Sequence, residues 1–284
     1  MDEPQPFRDM KIPLEDNYAD ILSKARRGLG FDIGTLSARA GLSAALTNQI
    51  LGGSFDEPGV RALAAALDLH PDRLAVIGRT EYRPAEIPLM EGLSQFNTPF
   101  EDMTVNSYLV WDPASQKAVA FDTGADCDGM LEAIQGHDLK LELILLTHSH
   151  GDHILELDRL RERTGAQAWI NEREPVAGAR RFVVGQKFHV DSLEIETRST
   201  WGHSPGGVTY VVRGLARTVA IVGDAIFAGS MGGGGVSYQD ALKTNRENIL
   251  SLPDETVLCP GHGPLTTVGE QKKVNPFFPE FGRD

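Results

Sequence analysis

The chain has 284 residues, 41% of them hydrophobic, and a formal net charge of −13. Length and apolar content suit one moderate domain plus a small one around a sizeable core, and the acidic balance argues against a nucleic-acid backbone as the main substrate, which calls for a basic footprint. No segment is long and apolar enough to span a bilayer, the N-terminus Met1-Asp2-Glu3-Pro4 lacks the basic-then-apolar pattern of a secretory signal, and Cys127 and Cys259 are far apart and need not pair, so a cytoplasmic protein with free thiols and no membrane partner is expected.

Residues 1–14 read as a tail. An amphipathic helix is expected from Glu15 to Arg27, with Tyr18, Ile21, Leu22 and Ala25 at helical spacing, ended by Gly28 and Gly30. Leu36 to Ser43 and Ala44 to Leu51 follow, the second stopped by Gly52-Gly53. A further helix spans Pro58 to Leu67 with proline at its start, and His70 to Leu74 opens a short last one. This pattern resembles the helix-turn-helix domain of the Xre/Cro-type repressors over Glu15 to Ile77, on Leu36, Gly41-Leu42-Ser43, Gly52-Gly53 and Leu63-Ala64 through Leu69. The resemblance implies a small all-α domain over residues 15–78. DNA binding is a separate question. The segment in the place of a recognition helix, Ser43 to Ile50, has no Lys or Arg, although Asn48 and Gln49 can in principle read an adenine edge. Ile33 stands where a phosphate-contacting Gln is usual. Between Glu15 and Ile77 six Lys and Arg are outnumbered by eight Asp and Glu. An interaction or dimerisation module, hence a homo-oligomer, is favoured over a DNA-binding one.

Residues 79–95 read as a linker carrying Pro84 and Pro88. Val105 to Trp111 and Val119 to Phe121 are expected to form a hairpin around Asp112-Pro113. The apolar run Leu141 to Leu146 reads as a buried strand leading into Thr147-His148-Ser149-His150-Gly151-Asp152-His153. His148 and His150, two apart in a nearly extended chain, can grip one cation; Asp152 and His153, past the bend at Gly151, can face a second. Neutral imidazole and carboxylate suit zinc, iron or manganese, and the shortage of thiolates argues against a closed structural zinc site. Three more candidates sit at strand ends beside Gly or Pro. They are His203 in Trp201-Gly202-His203-Ser204-Pro205-Gly206, Asp224 after Val219 to Gly223, and His262 in Pro260-Gly261-His262-Gly263-Pro264. His70, His137 and His189 have no such context.

These segments resemble, in order, the motifs of the metallo-β-lactamase superfamily, from Phe96 to the C-terminus. The resemblance implies an α+β protein with an αββα sandwich over residues 96–284. It implies one metal on His148, His150 and His203, a second on Asp152, His153 and His262, and Asp224 bridging the two. Phe121-Asp122-Thr123-Gly124, Gly223-Asp224-Ala225 and Pro260-Gly261-His262-Gly263-Pro264 are most similar to the small glyoxalase II-like hydrolases, which implies a hydroxyacylglutathione hydrolase-like enzyme.

Two divalent cations, zinc above iron or manganese, sharing a water would lower its pKa towards neutrality and activate it against the carbonyl of a small-molecule thioester, ester or lactone. Asp152 is the candidate catalytic residue, orienting that water and handling its proton. Asp122 can hold a ligand imidazole from behind, or simply cap a strand. The glyoxalase II pattern is incomplete. Gly233 stands where a basic residue usually holds the glutathione carboxylate, and Pro264 replaces a frequent tyrosine. The glycine run Gly232 to Gly235 reads as a mobile flap or a loose connector. Two alternatives stay open: a mononuclear-iron enzyme like the persulfide dioxygenases, and a transcriptional regulator with a lactamase-like sensor domain.

Overall fold

The structure, a computed structural model, describes residues 12–281; residues 1–11, most of the expected tail, and 282–284 lie outside it. Five helices come first: α1 (Tyr18–Gly28), α2 (Ile33–Ala40), α3 (Ala44–Leu51), α4 (Glu57–Ala66) and α5 (Pro71–Gly78). Local chemistry sets their ends. Asn17 accepts from the amides of Ala19 and Asp20, while the Asp20 carboxylate takes the Asn17 amide, so α1 starts at Tyr18 rather than Glu15. Asp32 caps α2 at Thr35, and Gly41, left-handed at φ 68°, stops it. The second helix therefore begins at Ile33, ahead of the expected Leu36, and Gly41 to Ser43 form the turn before α3.

The remainder builds two six-stranded sheets. In chain order the first half comprises β1 (Leu93–Phe100), β2 (Met103–Trp111), β3 (Lys117–Phe121), α6 (Asp128–Gly136), β4 (Lys140–Leu145), α7 (Gly151–Ile154), α8 (Leu157–Thr164), β5 (Gln167–Asn171) and β6 (Arg180–Phe182). The second half comprises β7 (Lys187–Val190), β8 (Leu193–Ser199), β9 (Val208–Arg213), β10 (Val219–Gly223), α9 (Tyr238–Asn248), β11 (Val257–Pro260), β12 (Thr266–Thr267) and α10 (Val268–Val274). The sheets run β1-β2-β3-β4-β5-β6 and β12-β11-β10-β9-β8-β7. The expected hairpin is present as β2 and β3, antiparallel with Tyr108 opposite Phe121. From β3 to β6 the pairing is parallel, as is β10 with β11. β1 starts at Leu93, inside the segment expected to be linker, because it pairs with β2 as far as Val110.

Alternation along the strands sorts residues into layers. Val110, Val119, Phe121, Tyr210, Val219, Ile221, Val257 and Cys259 point between the sheets. Leu109, Ala118, Ala120 and Ile144 face outward onto Met130 of α6 and Leu160 of α8. On the other side Val211, Ala220, Val222 and Leu258 are covered by helices, an αββα arrangement. Those covering helices include the N-terminal ones. Ile21, Leu22, Leu36, Leu63 and Leu74 share one continuous core with Val222, Ile226, Leu258 and Phe277. Contact is close: a Cβ on Gly28 would stand 2.2 Å from Cγ of Tyr238. The buried Arg73 guanidinium donates to the carbonyls of Asn275 and Phe278, each at 3.0 Å.

Candidate metal centre

Every residue of the site leaves the end of a strand. Asp122 follows β3, Thr147 to His150 follow β4, and the single turn of α7 presents Asp152 and His153. His203 lies between β8 and β9, Asp224 follows β10, and His262 follows β11. The structure brings all seven predicted residues together in two adjoining groups: His148, His150, His203 and Asp224, then Asp152, His153 and His262. In each group the donor atoms lie within 4.8 Å of one another. Asp224 stands between the groups. Its Oδ2 is 3.3 Å from His203 Nε2, 3.4 Å from His262 Nε2 and 3.9 Å from His148 Nε2, and its Oδ1 is 3.3 Å from His153 Nε2. Asp152 Oδ2 lies 3.3 Å from His262 Nε2 and 3.5 Å from His153 Nε2.

The partners of the outer ring nitrogens assign the tautomers. His262 Nδ1 donates to the Thr104 carbonyl at 2.7 Å and His203 Nδ1 to the Gly233 carbonyl at 2.9 Å. His153 Nδ1 donates to Asp122 Oδ2 at 2.8 Å. The Thr147 hydroxyl gives its proton to the same carboxylate at 2.8 Å, and so accepts from His148 Nδ1 at 3.0 Å. Each of these imidazoles, once neutral, thereby turns an Nε2 lone pair inward. His150 Nδ1 lies 3.0 Å from both His148 Nε2 and His203 Nε2, a convergence of lone pairs that a cation satisfies. His153 Nε2 and Asp224 Oδ1 are buried without a hydrogen-bond partner. The donor set therefore fits divalent metal. His150 alone of the seven is exposed, and it marks the solvent side.

Electrostatics agree. Burial, reinforced by the neighbouring imidazoles, holds His148 well below the usual histidine range, so it is neutral. Burial alone would raise Asp224, but His262 and His153 outweigh it and keep the carboxyl well below the ordinary range. Asp152 is lowered the same way, burial opposing and His262 and His153 prevailing.

Asp122 sits behind the candidate ligands, bonded to His153, as one of its two sequence readings has it. It also accepts the Thr147 amide at 2.7 Å, and it holds a left-handed φ of 54°, a strained conformation for a residue with a side chain. The glycine run is neither an open flap nor a loose connector at its start. Gly232 is buried and donates to the Asp224 carbonyl at 3.1 Å, and a Cβ there would lie 2.0 Å from that oxygen. The other three histidines lie elsewhere: His70 precedes α5, His137 stacks on Trp111, and His189 is exposed on β7.

Sequence reasoning missed Glu174. Its buried carboxylate accepts the amide and hydroxyl of Ser149 and the Gly206 amide at 2.7 Å, tying the His148–His150 loop to the His203 loop. It also missed Thr104, Thr147, and three residues of the N-terminal region, Glu15, Asp16 and Lys24. Nothing in the local pattern marks them.

An αββα sandwich with paired His and Asp groups at its strand ends defines a hydrolase class built around divalent metal. The profile of the Metallo-beta-lactamase superfamily matches residues 101–262, and the chain belongs to that superfamily. It is 28% identical to hydroxyacylglutathione hydrolase GloC of Haemophilus influenzae over 197 residues, 61% of this chain and 92% of that protein. It is also 28% identical to the probable metallo-hydrolase YqgX of Bacillus subtilis over 207 residues, 64% of this chain and 96% of that one. Among solved structures, ETHE1 from Myxococcus xanthus is similar with a TM-score of 0.58 and 25% identity, covering 66% of this chain and 85% of that one. TTHA1623, solved in a di-iron-bound form, is similar with a TM-score of 0.53 and 26% identity, covering 64% of this chain and 99% of that one.

Proposed function

We propose that the protein is a dinuclear metallohydrolase acting on a thioester, ester or lactone. His148, His150 and His203 would hold one cation, Asp152, His153 and His262 the other, with Asp224 between them. The observation that carries this is the position of Asp224, whose two oxygens face imidazoles of both groups. Divalent cations there supply Lewis acidity, drawing down the pKa of a water and polarising an acyl carbonyl. The protein's own part is orientation. Asp122, Thr104 and Gly233 fix the tautomers of His153, His262 and His203. Asp152, buried beside His262, is placed to orient the attacking water and take its proton.

Likeness to GloC supports an acyl thioester as substrate class. The grip on the acyl carrier differs from the glyoxalase II pattern, because Gly233 offers its carbonyl to His203 where a basic side chain would hold a carboxylate. For the N-terminal helices we favour an interaction role, and a homo-oligomer, over DNA binding. Supporting this, the exposed residues of α3 are Ala44, Ala45, Asn48 and Gln49, all uncharged. A cytoplasmic setting is supported by two buried, unpaired thiols, Cys127 and Cys259. Among the described residues no helix is long and apolar enough to cross a membrane.

Metal content of protein purified without added metal or chelator, followed by a thioester and lactone panel, tests the proposal. Close to two zinc, manganese or iron ions with hydrolysis lost in Asp224→Ala supports it. A single iron with oxygen uptake on a persulfide overturns it in favour of the mononuclear alternative.

A further inference from the structure

The segment Ile12 to Lys24 precedes the span matched by the superfamily profile, residues 101–262, yet it lies against the metal centre at two places. At the first, Asp16 and Lys24 grip the loop that follows Asp224. Lys24 Nζ pairs with Asp16 Oδ2 at 2.5 Å and donates to the Met231 carbonyl at 3.0 Å. The Ser230 hydroxyl donates to the same Asp16 oxygen at 2.5 Å. Lys24 also stands 5.1 Å above the Phe227 ring. Asp16, Ser230 and Met231 are all buried. The next residues of that loop are the ones the ligands use: the Gly232 amide binds the Asp224 carbonyl, and the Gly233 carbonyl takes His203 Nδ1. At the second place Pro13 to Glu15 pass over Gly263, with Glu15 Oε2 3.9 Å from His262 Nδ1.

We propose that Asp16 and Lys24 are positioning residues of the metal centre, supplied by the N-terminal region. Resting on the metal-site reading above, the inference is that the α1 pair fixes Ser230 and Met231, and through them the carbonyl that orients His203. A largely buried ion pair is a costly way to join two parts of a chain unless its groups find further partners. Here the Lys24 and Asp16 side chains are 15% and 6% exposed, and the Met231 carbonyl and the Ser230 hydroxyl each add a partner. Asp16 and Lys24 therefore select one conformation of a loop whose glycines would otherwise allow many. The effect should be lopsided. The cation on His148, His150 and His203 depends on this loop through the Gly233 carbonyl that holds His203, whereas the His262 side meets it through Asp224 and the edge-on contact of the Phe227 ring, with no hydrogen bond from the loop to His262.

The test is a chelator-competition titration of zinc, paired with cobalt(II) absorption spectra, on the full chain. Variants are Lys24→Met, Ser230→Ala, Lys24→Arg and, as a control on the exposed face of α3, Asn48→Ala. Lys24→Met and Ser230→Ala are expected to weaken one of the two metal equivalents about tenfold, in the range seen when groups supporting a ligand are removed, and to alter the spectrum of that equivalent. The other equivalent should change less. Lys24→Arg should restore most of the loss, and Asn48→Ala should match the parent. Unfolding of the metal-free chains by circular dichroism separates this from general destabilisation. If Lys24→Met does not fold, Ser230→Ala, which removes one hydroxyl and leaves the Lys24–Asp16 pair, carries the test. Unchanged affinities in folded variants, or equal weakening of both equivalents, overturn the proposal. A parent chain that binds no metal overturns the metal-site reading itself.

Discussion

Gly261 and Asp224 meet with no room for a side chain: a Cβ on Gly261 would stand 2.2 Å from Asp224 Oδ1 and 2.6 Å from His153 Cε1. The glycine before His262 is therefore a requirement of the carboxylate between the two metal groups. Gly261→Ala is expected to displace Asp224 or His153 and weaken metal retention at least about tenfold, as for other changes that disturb ligand support. Chelator competition on the folded variant measures it, and parent-like affinity would refute the steric account.

Asp122 accepts three hydrogen bonds, from the Thr147 amide, the Thr147 hydroxyl and His153 Nδ1. An asparagine has one acceptor oxygen and would set an NH2 against at least one of these donors. Asp122→Asn should lower metal affinity roughly 10–100-fold and reduce turnover with it. A variant that holds both metals as the parent does would reduce Asp122 to a strand cap.

Metal uptake should release protons. In the metal-free chain burial disfavours charge on His153 and His262, but the surrounding carboxylates, Asp224 foremost, outweigh it and hold their pKa values up to about 10 and about 11. Both rings are then protonated near neutral pH, and a protonated imidazole cannot bind a cation. Affinity should therefore rise with pH until these rings lose their protons. Calorimetry in buffers of different ionisation enthalpy should find up to two protons expelled, counting His153 and His262. Uptake without proton release would contradict the charge assignment.

Asp112 joins the turn after β2 to the turn between β7 and β8. It accepts the Ser192 amide at 3.1 Å and the Ala114 amide at 2.8 Å, and the Ser192 hydroxyl, followed by these two amides, brings its pKa down to about 2. With the folded value below the ordinary one of 3.8, the stabilisation is complete above that pH and is lost as pH falls towards about 2. Asp112→Ala should cost about 2 kcal/mol at neutral pH, the scale of hydrogen bonds to a charged group. In urea titrations the gap to the parent should close on acidification. A constant gap would mean that packing, not charge, is what the residue contributes.

The seven residues of the candidate metal centre were legible because four cluster in one His-rich turn after an apolar run and three sit beside Gly at the ends of others, and strand ends converge on one edge of a sandwich. Several strands were legible as apolar runs, Leu141 to Leu146 and Val219 to Gly223 among them, while short ones such as β6 and β12 were not. Helix ends were less so, since Asn17 and Asp32 decide them by single capping bonds that periodicity does not register. Glu174 was invisible for another reason. Its partners Ser149 and Gly206 are 25 and 32 residues away, and a Glu in the charged run Glu172-Arg173-Glu174 looks like surface. The bonds of Lys24 to Met231 and of Ser230 to Asp16 span 207 and 214 residues, so only the closed chain brings those groups together. Periodicity likewise gave α1 a buried face without saying what buries it.

What buries it matters to anyone who would divide the protein. Ile21, Leu22, Leu63 and Leu74 complete the same apolar layer as Val222, Ile226 and Leu258. A fragment beginning at Phe96, the natural cut by likeness to shorter relatives, would carry the strands of the candidate metal centre with a raw hydrophobic flank. It should self-associate or precipitate, where the whole chain should melt as one unit.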